Sequence, residues 1–214
     1  MNDTPIRVRV TYSKRGNLRF IGHLDTQRMF ERALRRTKLP LRYSRGFNKR
    51  LRINLASALP LGFTSRAEML DFWMDEIVDE KVILERLVKS LPSEIEVTEV
   101  ILIDNSLPSL QGSLLASDYE IIFSQAQRQQ DIEVRFTQLL QKPELPVTRR
   151  GKTVDIKPMI LQHAFNTLED GALKLNLRLS SSATASARPD DLLGFLELDP
   201  AECSIVRVNL IFEE

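Results

Sequence analysis

Residues 14–62 read KRGNLRFIGHLDTQRMFERALRRTKLPLRYSRGFNKRLRINLASALPLG, a stretch that combines positive charge with helical periodicity. Residues 1–60 contain 15 Lys and Arg against 3 Asp and Glu, an excess of 12 positive charges, whereas the whole chain carries a net charge of only +1. The remainder of the chain is therefore acidic. A local excess of this kind is typical of a surface that faces a polyanion, and nucleic acid is the commonest partner.

The composition is that of a globular protein, with 214 residues of which 43% are hydrophobic and 28% are charged. This length suffices for one large domain or two of about 100 residues. No uncharged apolar run of about 18 residues occurs, and the start of the chain lacks a signal peptide's apolar centre, so we expect a cytoplasmic protein without membrane contact. A single cysteine (Cys203) and two histidines (His23 and His163) exclude an internal disulfide and argue against a metal cluster, so we expect no metal and no cofactor.

A helix is predicted to start at residues 23–25 and to be ended by Pro40. Projected at about 100° per residue, its basic side chains fall on one arc and its apolar side chains on the opposite arc. The basic set is Arg28, Arg32, Arg35 and Arg36, and the apolar set is Met29, Phe30, Ala33 and Leu34. Clustered like charges repel unless an anion is present, so we predict that this face binds phosphate. The alternative is a solvated face whose arginine stems cover neighbouring apolar groups.

The segment after this helix surrounds an aromatic residue with basic groups. Gly46 and Asn48 tolerate unusual backbone angles, which predicts a loop or bulge. We predict that it binds phosphate through Arg45, Asn48, Lys49 and Arg50. Tyr43 or Phe47 could stack on an unpaired base. The alternative places both aromatic rings in the core at a strand end, and for Phe47 the sequence favours the core.

Alternating polar and apolar residues predict strands, and helical spacing predicts helices. The first half shows strands at residues 7–12, 41–55 (with a break), 68–76 and 94–103, and a second helix at 79–91. The second half shows strands at residues 119–123, 147–157, 173–179 and 203–212, and helices at 131–140 and 189–196. Each half follows the ferredoxin-like order βαββαβ. We therefore predict an α+β fold of two tandem ferredoxin-like subdomains with antiparallel sheets, at residues 1–104 and 118–214, joined by a linker at 105–117.

Several short motifs occur together along the chain. In the first half they are Leu18–Asp25 (LRFIGHLD), Arg32–Arg36 (RALRR), Leu39–Leu41 (LPL), Tyr43–Ser44, Gly46–Asn48 (GFN) and Ala58–Gly62 (ALPLG). In the second half they are Arg150–Pro158 (RGKTVDIKP), Ala187–Asp191 (ARPDD) and Val206–Arg207. In combination they resemble the uncharacterised radical-SAM-associated domain, a family that occurs alone or as the carboxy-terminal module of radical SAM proteins. The resemblance covers essentially the whole chain and implies a partner or substrate-presenting module for a radical SAM protein.

Two positions depart from that family's usual pattern. Gly22 stands where Ser is frequent, which removes a hydroxyl able to cap the helix. Lys49 stands where Pro is frequent, which adds charge to the loop and leaves its backbone less fixed. The cysteine triplet that holds the cluster of radical SAM enzymes is absent, so this chain cannot itself perform that chemistry.

The leading hypothesis is an RNA-binding accessory module that acts on tRNA, rRNA or ribosome-linked RNA. The expected contact residues are Arg19, Arg28, Arg32, Arg35, Arg36, Tyr43, Arg45, Asn48, Lys49 and Arg50, with Arg149, Arg150, Lys152 and Arg188 as a second region. For Arg188, a structural pairing with Arg207 and Asp190 is an open alternative. A second hypothesis is a protein-interaction module whose basic helix docks on an acidic partner such as the radical SAM protein.

A third hypothesis is a metal-independent RNA-processing enzyme in which His23 and Asp25 form an acid–base pair. Side chains at positions i and i+2 do not share a helical face, which argues against this pairing. We therefore expect no catalysis by the chain on its own.

Overall fold

The computed structural model describes residues 4–124, 131–149, 151–182 and 184–213. Over these ranges the chain is a mixed α+β protein with antiparallel strand pairs and few helices, which confirms the α+β part of the predicted fold class. It divides into two compact units, residues 1–113 and residues 114–214. The division falls within the segment that was predicted to be a linker.

The first unit packs two helices on one face of an antiparallel sheet. Its strands are β1 (Ile6–Lys14), β2 (Ile53–Leu55), β3 (Thr64–Met74) and β4 (Ile95–Ile103), paired in the order β4-β1-β3-β2. Its helices are α1 (His23–Arg36), α2 (Glu80–Ser90) and the short α3 (Leu110–Ser113). The core lies between the sheet and the first two helices, because each helix buries one apolar stripe against alternate residues of β1. These core residues include Val8, Val10, Phe30, Leu34, Ile83 and Leu87.

The opposite face of β1 carries a buried ion cluster. Asp71 of β3 is fully buried and accepts hydrogen bonds from Arg7 Nη2 at 2.5 Å and from Arg9 Nε at 2.9 Å. Arg7 also donates to the backbone carbonyls of Leu107 at 2.7 Å and Pro108 at 2.9 Å. The segment that follows β4 is thereby fastened to the first strand, and the buried charges are paired.

The ends of the two long helices have identifiable causes. Asp79 caps α2 by accepting a hydrogen bond from the backbone N–H of Lys81 at 2.9 Å. Helix α1 ends at Arg36, before the predicted stop at Pro40, because the Thr37 hydroxyl donates to the Leu34 carbonyl at 2.6 Å and Lys38 takes a left-handed backbone (φ 56°). The amphipathic helix predicted from the arginine spacing is confirmed.

Between residues 41 and 55, the loop predicted at 45–50 is confirmed, but the strands predicted on either side of it are only partly present. Ile53–Leu55 forms a strand of the sheet, Leu41 makes an isolated bridge to Met74 at the end of β3, and residues 43 and 51 pair with each other as a second isolated bridge. The physical reason is that residues 43–50 are all exposed, so no buried face holds them to the sheet. Residues 43–50 form instead the outer part of a hairpin that comprises residues 42–52.

The second unit has a similar sheet with different inserts. Its strands are β5 (Leu114–Ile122), β8 (Ile160–Thr167), β9 (Leu173–Ser180) and β10 (Ser204–Phe212), paired antiparallel in the order β10-β5-β9-β8. Its helices are α4 (Ile132–Gln141) and α5 (Pro189–Phe195). A separate hairpin, β6 (Pro146–Arg149) with β7 (Lys152–Asp155), follows α4.

Two predictions in this half need correction. The segment predicted as a strand at residues 147–157 forms the separate hairpin of β6 and β7. The strand that follows α4 in the sheet is β8, which was not predicted from the sequence. Six of the eight residues of β8 are exposed, so it lacks the apolar alternation that reveals a half-buried strand. The predicted linker at 105–117 contains α3 and the first four residues of β5.

Within the described ranges, no helix is both long enough and apolar enough to cross a membrane.

Candidate nucleic-acid interface

The outward face of α1 carries the four predicted arginines, and all four are exposed. Two of them pair weakly with acidic residues on the same helix. Arg28 Nη1 donates to Asp25 Oδ1 at 3.2 Å, and Arg35 Nη2 lies 3.9 Å from Glu31 Oε2. Exposed pairs at this spacing contribute little stability, so a phosphate can replace the carboxylate at small cost.

The other two arginines of α1 have no carboxylate partner among the described residues. Arg36 Nη2 donates to the backbone carbonyl of Ser90, the last residue of α2, at 2.5 Å. The Arg32 guanidinium forms no hydrogen bond or ion pair with the described part of the chain. The positive charge of this helix face is therefore only partly compensated.

Two surface depressions flank this helix face, and Arg28 borders both of them. The first has a volume of about 340 Å³ and is lined by Asp25, Arg28, Met29, Arg32 and Arg36. The second has a volume of about 320 Å³ and is lined by Leu24, Gln27, Arg28, Glu31 and Arg50. Because Arg50 belongs to the segment after α1, the second depression brings the helix and that segment together.

Residues 42–52 form a hairpin, which we call the basic hairpin because it contains five Lys and Arg and no Asp or Glu. The backbone N–H of Ser44 donates to the carbonyl of Arg50 at 2.7 Å, and that of Arg52 donates to the carbonyl of Arg42 at 3.1 Å. The Ser44 hydroxyl in turn accepts a hydrogen bond from the Arg50 N–H at 3.0 Å. These bonds close a tip at residues 45–49.

The base of the basic hairpin is fixed to the end of β3. The backbone N–H of Arg42 donates to the carbonyl of Trp73 at 2.7 Å, and its guanidinium donates to Asp75 Oδ1 at 2.9 Å. The Arg52 guanidinium lies 4.1 Å from the centre of the Trp73 ring, and Leu51 is buried in the core. The tip is therefore presented from a rigid base.

The aromatic residues of the basic hairpin are exposed. Phe47 at the tip is fully accessible (103% of its reference surface), so the expectation that it lies in the core is wrong. Tyr43 is 40% exposed. A third depression is lined by Arg42, Tyr43, Ser44, Arg45, Lys49 and Asp75. Asn48, which precedes Lys49 in the chain, is exposed but does not line this depression. The structure thus brings Tyr43, Arg45 and Lys49 together.

Arg19 lies in the 3₁₀ turn Gly16–Phe20 that precedes α1. Its side chain is exposed, with the guanidinium carbon 4.7 Å from the centre of the Phe20 ring. Its backbone carbonyl accepts a hydrogen bond from the Gly62 N–H at 2.8 Å.

The predicted second region, in the other unit, is arranged differently. Arg149 Nη1 donates to the Ser186 carbonyl at 2.9 Å, and Arg149 Nη2 donates to the carboxylate of Asp191. The same carboxylate accepts a hydrogen bond from the backbone N–H of Arg188 at 2.9 Å, which caps the start of α5. The charge of Arg149 is therefore already paired.

The start of α5 also carries an acidic pair, Asp190 and Asp191. Burial, and next to it the neighbouring charge of Asp191, raises the pKa of Asp190. Lys152 is exposed in β7, and Arg150 lies outside the described residues. The start of α5 thus combines basic and acidic groups, unlike the outward face of α1.

The sequence matches, over residues 7–189, the family described as "Uncharacterized protein conserved in bacteria (DUF2344)". The chain belongs to the DUF2344 family. No curated protein matches it. In this DUF2344 chain the matched range includes α1, the basic hairpin and the β6–β7 hairpin.

The two weak catalytic candidates of this DUF2344 chain lie at the start of α1. His23 is the first helical residue and is half-buried, whereas Asp25 is exposed and accepts the hydrogen bond from Arg28 described above. Across the described residues, no group of three or more His, Cys, Asp and Glu side chains is placed to hold a metal ion.

The second unit of the DUF2344 chain contains a groove that was not predicted from the sequence. It has a volume of about 650 Å³ and lies along β5, β8 and β9, with Asp118, Gln162, His163, Asn176 and Arg178 among its lining residues. Arg178 donates to both carboxylate oxygens of Asp118, at 2.7 and 2.9 Å, and this bond raises the pKa of Arg178. The alternation of Leu175, Asn176, Leu177 and Arg178 signals a strand with one polar face, but sequence alone does not say that this face is open.

Proposed function

We propose that this chain is a non-catalytic RNA-binding accessory module that contacts phosphate through α1 and the basic hairpin. Its substrates would be tRNA, rRNA or ribosome-linked RNA in the cytoplasm. The observation that carries the proposal is the position of Arg28, which borders one depression that continues to Arg32 and Arg36 and another that reaches Arg50. Guanidinium groups bind phosphate bidentately, and several along one surface can follow a nucleic-acid backbone.

We also propose that the module works with a radical SAM protein, an association that rests on the motif resemblance described above. The same proposal extends to the fold of each unit, which would be a ferredoxin-like subdomain. The strand orders β4-β1-β3-β2 and β10-β5-β9-β8 support this fold, with the β6–β7 hairpin as an insertion before β8. An experimental structure of the chain would test it.

The decisive experiment measures affinity for a structured RNA pool at about 50 mM and about 200 mM salt. Contacts to six or more phosphates would weaken binding on the order of a thousandfold between these conditions. The native chain is compared with a variant in which Arg28, Arg32, Arg35 and Arg36 are all changed to Gln, which we expect to lose the salt-sensitive binding.

The control variant removes charge from another exposed helix of the same unit, with Lys81, Arg86 and Lys89 of α2 changed to Gln. We expect it to bind RNA nearly as the native chain does. Absence of RNA binding by the correctly folded native chain would remove the proposal.

A second candidate function is docking on a protein partner, the radical SAM protein in particular. It is favoured by three exposed apolar side chains near the start of α1, Phe20 (60%), Leu24 (65%) and Leu61 (63%). The Gly62–Arg19 hydrogen bond holds the loop of Leu61 beside the turn of Phe20. Exposed apolar groups of this kind are typical of protein interfaces.

This candidate is tested by mixing the chain with a purified radical SAM protein after nuclease treatment. Association that survives nuclease and is weakened by Leu24→Ser together with Leu61→Ser supports docking. Association that disappears with nuclease assigns the contact to RNA.

A further inference from the structure

Phe47 contributes almost nothing to the stability of the fold. Its side chain is fully accessible, so it buries no apolar area against the rest of the chain. Gly46 next to it has φ 129°, and no atom lies within 4 Å of the position that a Cβ would take there. The Phe47 ring therefore adds no packing to the fold.

The backbone that carries the ring is nevertheless anchored. The Ser44–Arg50 and Arg42–Arg52 backbone hydrogen bonds close the hairpin, and the Arg42–Trp73 bond fastens it to β3. The tip is short, so the position of Phe47 is restricted to a small region beyond the end of β3.

The surroundings of the ring are cationic and contain a second aromatic. Arg45, Lys49 and Arg50 lie within three residues of Phe47 in the chain, and Tyr43 lines a depression together with Arg45 and Lys49. Aromatic rings beside cationic groups form the arrangement that binds single-stranded nucleic acid, because each base stacks on a ring while its phosphate is neutralised.

We infer that Phe47 is a stacking platform for an unpaired base, and that the chain therefore prefers single-stranded RNA to duplex RNA. The inference rests on the proposed RNA-binding function and specifies its substrate class. In a duplex both faces of each base are covered by neighbouring bases, so the ring has no face to stack on. One Phe side chain buries far less apolar area in a bilayer than a lipid anchor does, whereas a base offers a flat face that matches its ring.

The test measures the binding of a short single-stranded RNA that carries 2-aminopurine, whose fluorescence falls when the base stacks, and of the same strand annealed to its complement. The full chain is compared with Phe47→Ala, Phe47→Trp and Phe47→Leu. We expect Phe47→Ala to bind the single strand about five- to a hundredfold more weakly and to lose the fluorescence change. Its affinity for the duplex should not change.

The other variants separate stacking from apolar contact. Phe47→Trp keeps a flat ring and should restore both affinity and the fluorescence change, whereas Phe47→Leu keeps apolar volume without a ring and should behave as Phe47→Ala. Val88→Ala, which shortens another exposed apolar side chain on α2, serves as the control and should bind as the native chain. All variants should retain the native melting temperature, since Phe47 is unburied.

Four outcomes would overturn the inference. If Phe47→Ala binds the single strand as tightly as the native chain, while the α1 variant loses RNA binding, the inference fails and the proposed function stands. If the native chain binds no RNA, both fail. If Phe47→Leu binds as the native chain, the contact is apolar rather than stacked. If the native chain binds vesicles of phosphatidylserine and phosphatidylcholine, and Phe47→Ala does not, the tip is a membrane contact.

Discussion

The outward face of α1 and the start of α5 both present arginines, but their immediate surroundings differ. On α1, Arg32 has no partner among the described residues and the pair between Arg28 and Asp25 is exposed. At the start of α5, Arg149 is held by the carboxylate of Asp191 and the carbonyl of Ser186. The comparison shows that the number of arginines does not identify a binding surface, because nearby carboxylates decide which guanidinium groups are available.

The proposed difference between the two regions is tested by removing three positive charges from one region or from the other. Changing Arg28, Arg32 and Arg36 to Gln should weaken RNA binding about a hundredfold at low salt and reduce the slope of log affinity against log salt by about 2. The matched variant, with Arg149, Lys152 and Arg188 changed to Gln, should have a much smaller effect because Arg149 is already paired. Filter-binding titrations at several salt concentrations measure both quantities. Equal losses in the two variants would show that the regions do not differ as the comparison states.

The structural role of the second region is tested by Asp191→Asn. This change removes the charge that holds Arg149 and weakens the cap on the Arg188 N–H, so the free energy of unfolding should fall by about 1 to 2 kcal/mol. Urea denaturation measures it.

The matched change on α1 is Asp25→Asn, which should alter the free energy of unfolding by about 0.5 kcal/mol or less because its pair with Arg28 is exposed. The comparison is contradicted if the α1 variant is the less stable of the two.

The smallest expected effect on the free energy of unfolding comes from replacing Asp190. Because burial and Asp191 raise its pKa above 3.8, folding favours the protonated form. Its contribution to stability is present below the unfolded pKa and is lost as pH rises through the raised folded pKa. Asp190→Asn stays neutral, so this variant should gain stability relative to the native chain at about pH 7 compared with about pH 4. Urea denaturation at the two pH values checks the sign, and a relative gain at the acidic pH would contradict it.

Much of the first unit could be predicted because its elements have clear periodicity. The arginine and apolar arcs of α1, and the spacing of Ile83 and Leu87 in α2, result directly from burial of one helix face. At residues 42–52 the sequence predicted the loop but not how little of its flanks forms a strand, since Leu51 and Leu55 are buried while the residues between Arg42 and Leu51 are not. An aromatic residue next to a glycine fits a core strand end as well as a loop tip, which is why Phe47 was misplaced.

In the candidate site too, contacts between residues close in the chain could be predicted from sequence, and contacts between distant residues could not. The pairs of Arg28 with Asp25 and Arg35 with Glu31 lie one helical turn apart and are accessible to spacing arguments. The pair of Arg149 with Asp191 joins residues 42 positions apart. It depends on how the β6–β7 hairpin returns to α5, which no local pattern specifies.

The contact of Arg7 with the end of the first unit has a consequence for dividing the protein into fragments. A fragment that stopped at residue 104, the boundary predicted from sequence, would lack the carbonyls of Leu107 and Pro108 and so lose two hydrogen bonds of the Arg7 guanidinium. Each such loss costs about 1 to 3 kcal/mol. Anyone who isolates this unit for solution NMR should therefore keep the chain through Ser113, even though residues 104–109 form neither helix nor strand.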